Sequence, residues 1–208
     1  MDTIEAIDYC EKNNIEGCFV ECGVFSGTQE IKICNYILDN NCKPRDIYMY
    51  DTFSGLVQPD DNDFTIPNNK SNVRYNVNQT RHIWETHKEK CGENWYECSL
   101  EQVKINVENT NYPKSFLHYI KGDVLNTLKN DIPFKIAILR LDTDWYKSSK
   151  FELEKLYPNV VKNGVIILDD YYLWNGQQKA TDEYLKENNI DKKIIQKKDR
   201  PQIGQFLK

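Results

Sequence analysis

The chain has 208 residues, of which 28% are charged, and a formal net charge of -5. That length fits one domain with a sizeable core, and the mild acidity excludes a general nucleic-acid binder. No run of eighteen apolar residues occurs and residues 1–16 are polar and acidic, so neither a membrane span nor a signal peptide is expected.

Asp2–Asn13 reads as a short amphipathic helix with Ile4, Ile7 and Cys10 or Tyr9 on one side. The pattern then predicts a strand over Cys18–Val24, a tight turn from Gly23 to Gly27, and a helix over Thr28–Leu38. A glycine turn before a helix lets a ligand approach the backbone and the free N–H groups. Its G-x-x-x-G matches neither the dinucleotide fingerprint nor the nucleoside-triphosphate loop. A second strand over Asp46–Tyr50 runs into Asp51-Thr52-Phe53-Ser54-Gly55-Leu56. An acid there suits either the hydroxyls of a ribose or a turn.

From Val57 to Arg81 the chain is polar, Asn-rich and aperiodic, which predicts a long loop. Ser99 with Gln102 fits a capping box for a helix through Val103 and Val107. A third strand is expected over Phe116–Ile120, then Gly122-Asp123 and a short helix Val124–Lys129. Strands four and five are Ile136–Leu141 and Val165–Leu168, joined by a helix Ser148–Leu156 and a turn Pro158–Gly164. A helix over Gln177–Glu187 and strands Ile194–Lys197 and Ile203–Leu207 complete the chain, with the Lys-rich Lys186–Arg200 as a solvated hairpin surface.

Strands four and five carry the chemistry. Both read as buried on two faces, and each ends in paired acid: Asp142 and Asp144 on one, Asp169 and Asp170 on the other. Open parallel sheets bind ligands beyond the carboxyl ends of their strands, so these carboxylates converge. Like charges brought together call for a divalent cation with oxygen ligands, Mg²⁺ by default. Helix N-capping would explain one Asp per strand but not doublets on both. The seven cysteines form no C-x-x-C, and Cys18 and Cys22, about 13 Å apart at about 3.3 Å per strand residue, are too distant to share zinc. Reduced, mostly buried thiols in the cytoplasm are expected. His82, His87 and His118 have no partner at a metal-ligand spacing.

The alternation of strands and helices, closed by two short strands, predicts an α/β fold: the class I S-adenosylmethionine (SAM) methyltransferase Rossmann-like fold, a seven-stranded, mostly parallel sheet with an antiparallel C-terminal strand. The ordered motifs V-E-C-G-V-F-S-G, Y-D-T-F-S-G-L, K-G-D-V-x-x-T-L, R-L-D-T-D-W-Y-x-S, L-Y-P-x-V-x-x-G-V-I-I-L-D-D-Y and W-x-G resemble the macrocin O-methyltransferase (TylF/MycF-type) family from about Gly17 onward. The resemblance implies methylation of sugar hydroxyls with SAM and Mg²⁺. It implies that Glu21, Gly23 and Gly27 shape the methionine end of the SAM site, Asp51 takes the ribose with Ser54 beside it, and Asp123 borders the adenine. It further implies that Asp142, Asp169 and Asp170 bind the metal, Asp142 also serving as base and Asp144 as a supporter. The first motif begins near Cys18, so the long N-terminal lid segment of some members is expected to be short or absent.

The whole chain, 1–208, is expected to form a single methyltransferase domain, with 57–98 as a lid or acceptor-binding insertion. Within it Trp84 and Trp95, together with Trp174 and Glu101, are candidate acceptor contacts. A sugar or glycan acceptor is expected and nucleic acid is not; a homo-oligomer is compatible with the sequence. The alternatives are a catechol-type Mg²⁺ O-methyltransferase acting on phenols and a non-catalytic SAM-binding module. A Rossmann oxidoreductase is disfavoured by the glycine spacing and the lack of a Tyr-x-x-x-Lys pair.

Overall fold

The apolar runs come together as strands β1 (Cys18–Cys22), β2 (Ile47–Asp51), β3 (Leu117–Lys121), β4 (Ile136–Leu141), β5 (Val160–Leu168), β6 (Ile195–Gln196) and β7 (Gly204–Leu207) in the computed structural model. It describes residues 1–67, 69, 70, 73–130, 132 and 134–208. Among these, one seven-stranded sheet has the order β3-β2-β1-β4-β5-β7-β6, parallel except for β7, which runs antiparallel to β5 and β6. Helices α1 (Thr3–Lys12), α2 (Thr28–Asp39), α3 (Val77–Cys91), α4 (Leu100–Glu108), α5 (Val124–Thr127), α6 (Tyr146–Leu156) and α7 (Asn175–Glu187), with 3₁₀ turns at Lys114–Phe116 and Tyr157–Asn159, make up the rest of the regular structure among the described residues.

Period-two alternation sorts the strand residues between two cores. Phe19, Met49, Ile138 and Ile167 pack with Ile7, Ile33, Ile37 and Val107 from α1, α2 and α4. Val20, Leu139, Leu141 and Ile166 pack with Val124, Leu153, Leu156 and Leu185 from α5, α6 and α7. Every residue of β1 and β4 is buried, as strands covered on both faces require.

The strand order reverses at β1, whose successors lie on one side while β4 and β5 lie on the other, and this switch point is where such sheets open a crevice. There Gly23 has φ +87, and a Cβ on it would stand 2.0 Å from the Asp142 carbonyl oxygen. The ladder continues past the strands into the acids: the Asp142 amide donates to Cys22 O at 2.8 Å and that of Asp169 to Leu141 O at 3.0 Å.

Four expectations need correction. First, α3 lies where a loop and an unassigned segment were read. Asn76 accepts from the Gln79 amide at 3.0 Å while Gln79 accepts from that of Asn76 at 2.9 Å. This is a capping box in Asn and Gln, and with only Thr80 buried the helix has no apolar stripe to announce it. Second, β5 begins at Val160, inside the expected turn Pro158–Gly164; the turn itself is the short 3₁₀ segment Tyr157–Asn159. Third, the run read as apolar in β4 contains Arg140, which is buried. Fourth, Lys197 in the Lys-rich stretch is buried and pairs with Asp2, Glu5 and Asp199.

The insertion is anchored to the sheet's carboxyl edge, although Asn68, Ser71 and Asn72 lie outside the described residues. Ile66 N donates to Leu173 O at 2.8 Å and Asn175 N to Phe64 O at 2.9 Å. The Nε1 atoms of Trp84 and Trp145 donate at 2.8 Å to the carbonyls of Leu56 and Val57. Asp63, 1% exposed, caps α6 by accepting from Tyr146 N at 2.9 Å and also accepts from Asp60 N at 2.6 Å.

Gly23→Ala is expected to destabilise the protein by about 2–4 kcal/mol, the cost of overpacking plus a non-glycine residue in the left-handed region. Urea unfolding with a lowered midpoint and unchanged slope checks this. Burial raises the Asp63 carboxyl from 3.8 to about 6. Between those values the folded chain keeps a proton that the unfolded chain has lost, so the stability linked to Asp63 is fully present below the lower value and falls as pH rises through the window. Asp63→Asn removes that dependence. Relative to wild type the variant should gain up to about 3 kcal/mol between about pH 4 and pH 7, at about 1.36 kcal/mol per pH unit, measured by urea unfolding across that range.

Candidate functional site

A cavity of about 500 Å³ opens at the carboxyl ends of the strands. Gly23, Asp51, Gly122, Asp123, Asp142, Asp144, Asp169 and Asp170 line it from the sheet, and Tyr75, Trp95, Tyr96 and Trp174 from the insertion and the loop after β5. Its size and mixed lining suit a small-molecule site. No Lys or Arg is among its described lining residues.

Asp51 organises one end. Oδ2 accepts from the amides of Val24 at 2.7 Å and Phe25 at 3.1 Å, and Oδ1 from that of Phe53 at 2.6 Å. The carboxylate therefore clamps the glycine turn to the end of β2. Three of about four lone-pair positions are taken by these amides, and the Thr52 hydroxyl, 3.4 Å from Oδ1, has a nearer acceptor in Gly55 O at 2.7 Å, so roughly one position remains for a ligand hydroxyl. Asp123 caps α5 through Leu125 N at 2.9 Å and faces the same space.

The acids occupy the other end. Alternation puts Glu21, Arg140, Asp142 and Asp169 on one face, with Glu21 beside Arg140 in register. The Arg140 guanidinium pairs with Glu21, with Asp142 Oδ2 at 2.8 Å and with Asp169 Oδ1 at 2.5 Å. Oxygens of Asp142, Asp144 and Asp170 lie within 4.8 Å of one another. Burial first, then the neighbouring charges, pushes all three carboxyls well above the usual carboxylate range. Among the described residues Arg140 is the cation paired with this cluster, and it contacts Glu21, Asp142 and Asp169. Asp142 keeps 26% of its side chain exposed and so can reach a ligand. Beneath them Glu30, fully buried on α2, faces Glu21, and burial raises both.

Asp144 has a left-handed backbone at φ 64, a conformation that turns the chain after β4 and sets its carboxyl beside Asp170. Gln177 braces the pair of strand ends from α7: its Oε1 accepts from Asp170 N at 2.9 Å and its Nε2 donates to Leu141 O at 3.1 Å.

The sequence-derived residues divide accordingly. Gly23, Asp51, Asp123, Asp142, Asp169 and Asp170 line the cavity. Glu21 lies below its floor on Arg140, and Gly27 caps α2 and abuts Val103 and Val107 of α4. Ser54 is exposed, its carbonyl held by Asn94 Nδ2 at 3.0 Å. Trp95 and Trp174 are in the lining; Trp84 and Glu101 are not.

Sequence reasoning missed Arg140, although a lone charge inside a strand buried on both faces implies partners at the same level. It also missed Tyr96 and Phe25, whose rings meet edge-to-face at 5.7 Å across the mouth. Both have positive φ, 55 and 49, which no composition signal marks. Burial and then Asp144, Asp170 and Asp142 push the Tyr96 hydroxyl up to about 12.

Comparison with known proteins agrees with this arrangement. The family model for macrocin O-methyltransferase (TylF) matches residues 1–201. Demethyldecarbamoylnovobiocin O-methyltransferase of Streptomyces niveus is 26% identical over 183 residues, which are 88% of this chain and 63% of that protein. The 8-demethyl-8-(2,3-dimethoxy-alpha-L-rhamnosyl)-tetracenomycin-C 4'-O-methyltransferase of Streptomyces olivaceus is 23% identical over 175 residues, 82% of this chain and 60% of that one. The chain thus spans about three-fifths of the length of the curated relatives it matches. The solved structure of the O-methyltransferase NovP superposes with a TM-score of 0.79 at 22% identity, covering 100% of this chain and 78% of that one, a likeness of fold. With the glycine turn, the Asp51 clamp and the acidic strand ends in place, the chain belongs to the TylF macrocin O-methyltransferase family.

Proposed function

We propose that this protein transfers the methyl group of SAM to a hydroxyl of a sugar or glycoside, with a divalent cation. The observation that carries the reading is the convergence of Asp142, Asp144 and Asp170 in the same cavity as the glycine turn and Asp51. A nucleoside donor fits the turn because Gly23 leaves the backbone bare and Asp51 retains an acceptor position. A hard cation fits the acids because three carboxylate oxygens already converge at a cost in charge repulsion that a cation would relieve.

Asp142 and Asp170 are common to the set drawn from the family resemblance and to the converging trio, and we assign both as ligands. Asp169, paired with Arg140, and Asp144, within 4.8 Å of Asp170, flank them as the two claimants to a third position. A cation held there supplies Lewis-acid polarisation of the acceptor hydroxyl. The chain's own residues do the rest. Asp142 has one oxygen on Arg140, which leaves the other to accept the proton that the acceptor hydroxyl loses. Trp95, Trp174 and Tyr75 offer aromatic faces to a sugar ring, and Tyr96, stacked on Trp95, adds a hydroxyl to the same lining. The relative from S. olivaceus, named for a rhamnosyl substrate, supports a glycosyl acceptor. Six lining acids and no lining base favour an uncharged or cationic glycoside over a nucleotide-linked sugar.

No helix among the described residues is long and apolar enough to cross a membrane. The unpaired cysteines, four of them buried, fit a reducing compartment, and we place the protein in the cytoplasm.

Calorimetry should detect binding of SAM and its demethylated product but not of NAD; NAD binding without SAM binding would sink the donor assignment. Asp170→Asn should weaken Mn²⁺ binding by at least about tenfold, the scale that even outer-shell changes reach, with little change in SAM affinity. Full turnover in excess EDTA would contradict the cation. With any glycoside found to be methylated, Asp142→Asn should lower the rate roughly a hundredfold or more at saturating Mg²⁺ while leaving the fold intact, as loss of a general base does. A near-native rate would put the base elsewhere.

A further inference from the structure

We infer that Arg140 is a positioning residue for the acidic centre: one guanidinium spans three adjacent strands and determines which carboxylates remain free to take a cation. This rests on the metal-dependent reading above. The side chain is 4% exposed and its partners are Glu21 on β1, Asp142 just beyond β4 and Asp169 just beyond β5. Its neighbours along the same face, Ile138 on its own strand and Phe19 on β1, belong to the apolar core. A charge in that setting is tolerated only with full pairing, and here the pairing runs outward to the cavity.

The geometry assigns a role beyond counter-charge. Nη1 donates to Asp142 Oδ2 at 2.8 Å while Nη2 stands 2.5 Å from Asp169 Oδ1 as a close ion pair, so the planar fork fixes Asp142 by direction and Asp169 by proximity. Asp142 keeps its second oxygen for the cavity, and Asp169 stands beside the converging trio in the same lining. Without that hold, Asp142 and Asp169 would lose their defined places beside the converging oxygens. A cation would then have to reorder side chains before binding.

The two accounts of Arg140 predict opposite signs. If it acts by charge alone, removing a positive group 2.8 Å from an Asp142 oxygen strengthens divalent binding. If it positions the acids, removal weakens it. The test titrates Mn²⁺ alone into the full chain at neutral pH, followed by electron paramagnetic resonance, for wild type, Arg140→Met and Arg140→Lys. Binding to wild type is expected, with a loss of at least about tenfold in Arg140→Met, the scale seen when residues that orient ligands are removed. Arg140→Lys should fall between, because it restores charge without the fork. Calorimetric binding of SAM and cooperative unfolding show that each variant retains its fold and donor site.

Equal or tighter Mn²⁺ binding by Arg140→Met overturns the inference and leaves the cation in place. No binding by wild type overturns the metal reading and this inference with it. Should Arg140→Met fail to fold, the Lys variant decides: wild-type Mn²⁺ affinity in that variant would show that charge suffices and the fork does not matter.

Discussion

The site depends on how closely β1 and β4 can approach at the switch point of the sheet. Gly23 makes that approach possible, since any side chain there would meet the Asp142 main chain. From that contact three consequences follow. The Asp142 amide can pair with Cys22, so the acidic segment leaves β4 in a fixed direction. Glu21 and Arg140 become lateral neighbours across the two strands. The turn that follows Gly23 is brought within reach of Asp51 at the end of β2, whose carboxylate takes up its amides. A single absent Cβ thus joins the Asp51 side of the cavity to its acidic side.

Charge is concentrated unevenly around this contact. The sheet delivers acids from several strand ends and balances them with one buried guanidinium, so the surplus is left facing the cavity. Such an arrangement is unfavourable for folding in isolation, because burial and mutual repulsion both oppose ionisation. Proteins retain conflicts of this kind where chemistry needs them. The packing elsewhere supports the cost: two continuous apolar cores cover the sheet on both faces.

Much of this was legible in the sequence. Ile136–Leu141 forms the strand read from its apolar run, and the acids at the ends of β4 and β5 do share one cavity. What the sequence hid has physical reasons. The helix α3 makes little contact with either core, so hydrophobic periodicity cannot report it, and its capping box uses Asn76 and Gln79. The grouping of Asp142 with Asp144 and Asp170 accompanies a positive φ at Asp144 and an Arg140–Asp169 ion pair, three-dimensional facts with no linear signature. Glu21 and Gly27 belong to the motif that marks the donor site, yet one underlies its floor and the other packs α2 against α4. A motif records what the turn needs as well as what touches a ligand.

The insertion is stitched to the loop after β5 by Thr65 bridging Trp174, by the Ile66 and Asn175 amides, and by Asp63 against Tyr146 beside Gly176. That loop also carries Asp169 and Asp170. The segment that supplies the aromatic wall of the cavity and the segment that presents the acids are therefore one mechanical unit. In evolutionary terms the two cannot be exchanged independently. A recombinant that borrows the insertion from another family member must take the stretch from 169 to 177 with it, and drift in acceptor range should be accompanied by compensating changes in that stretch.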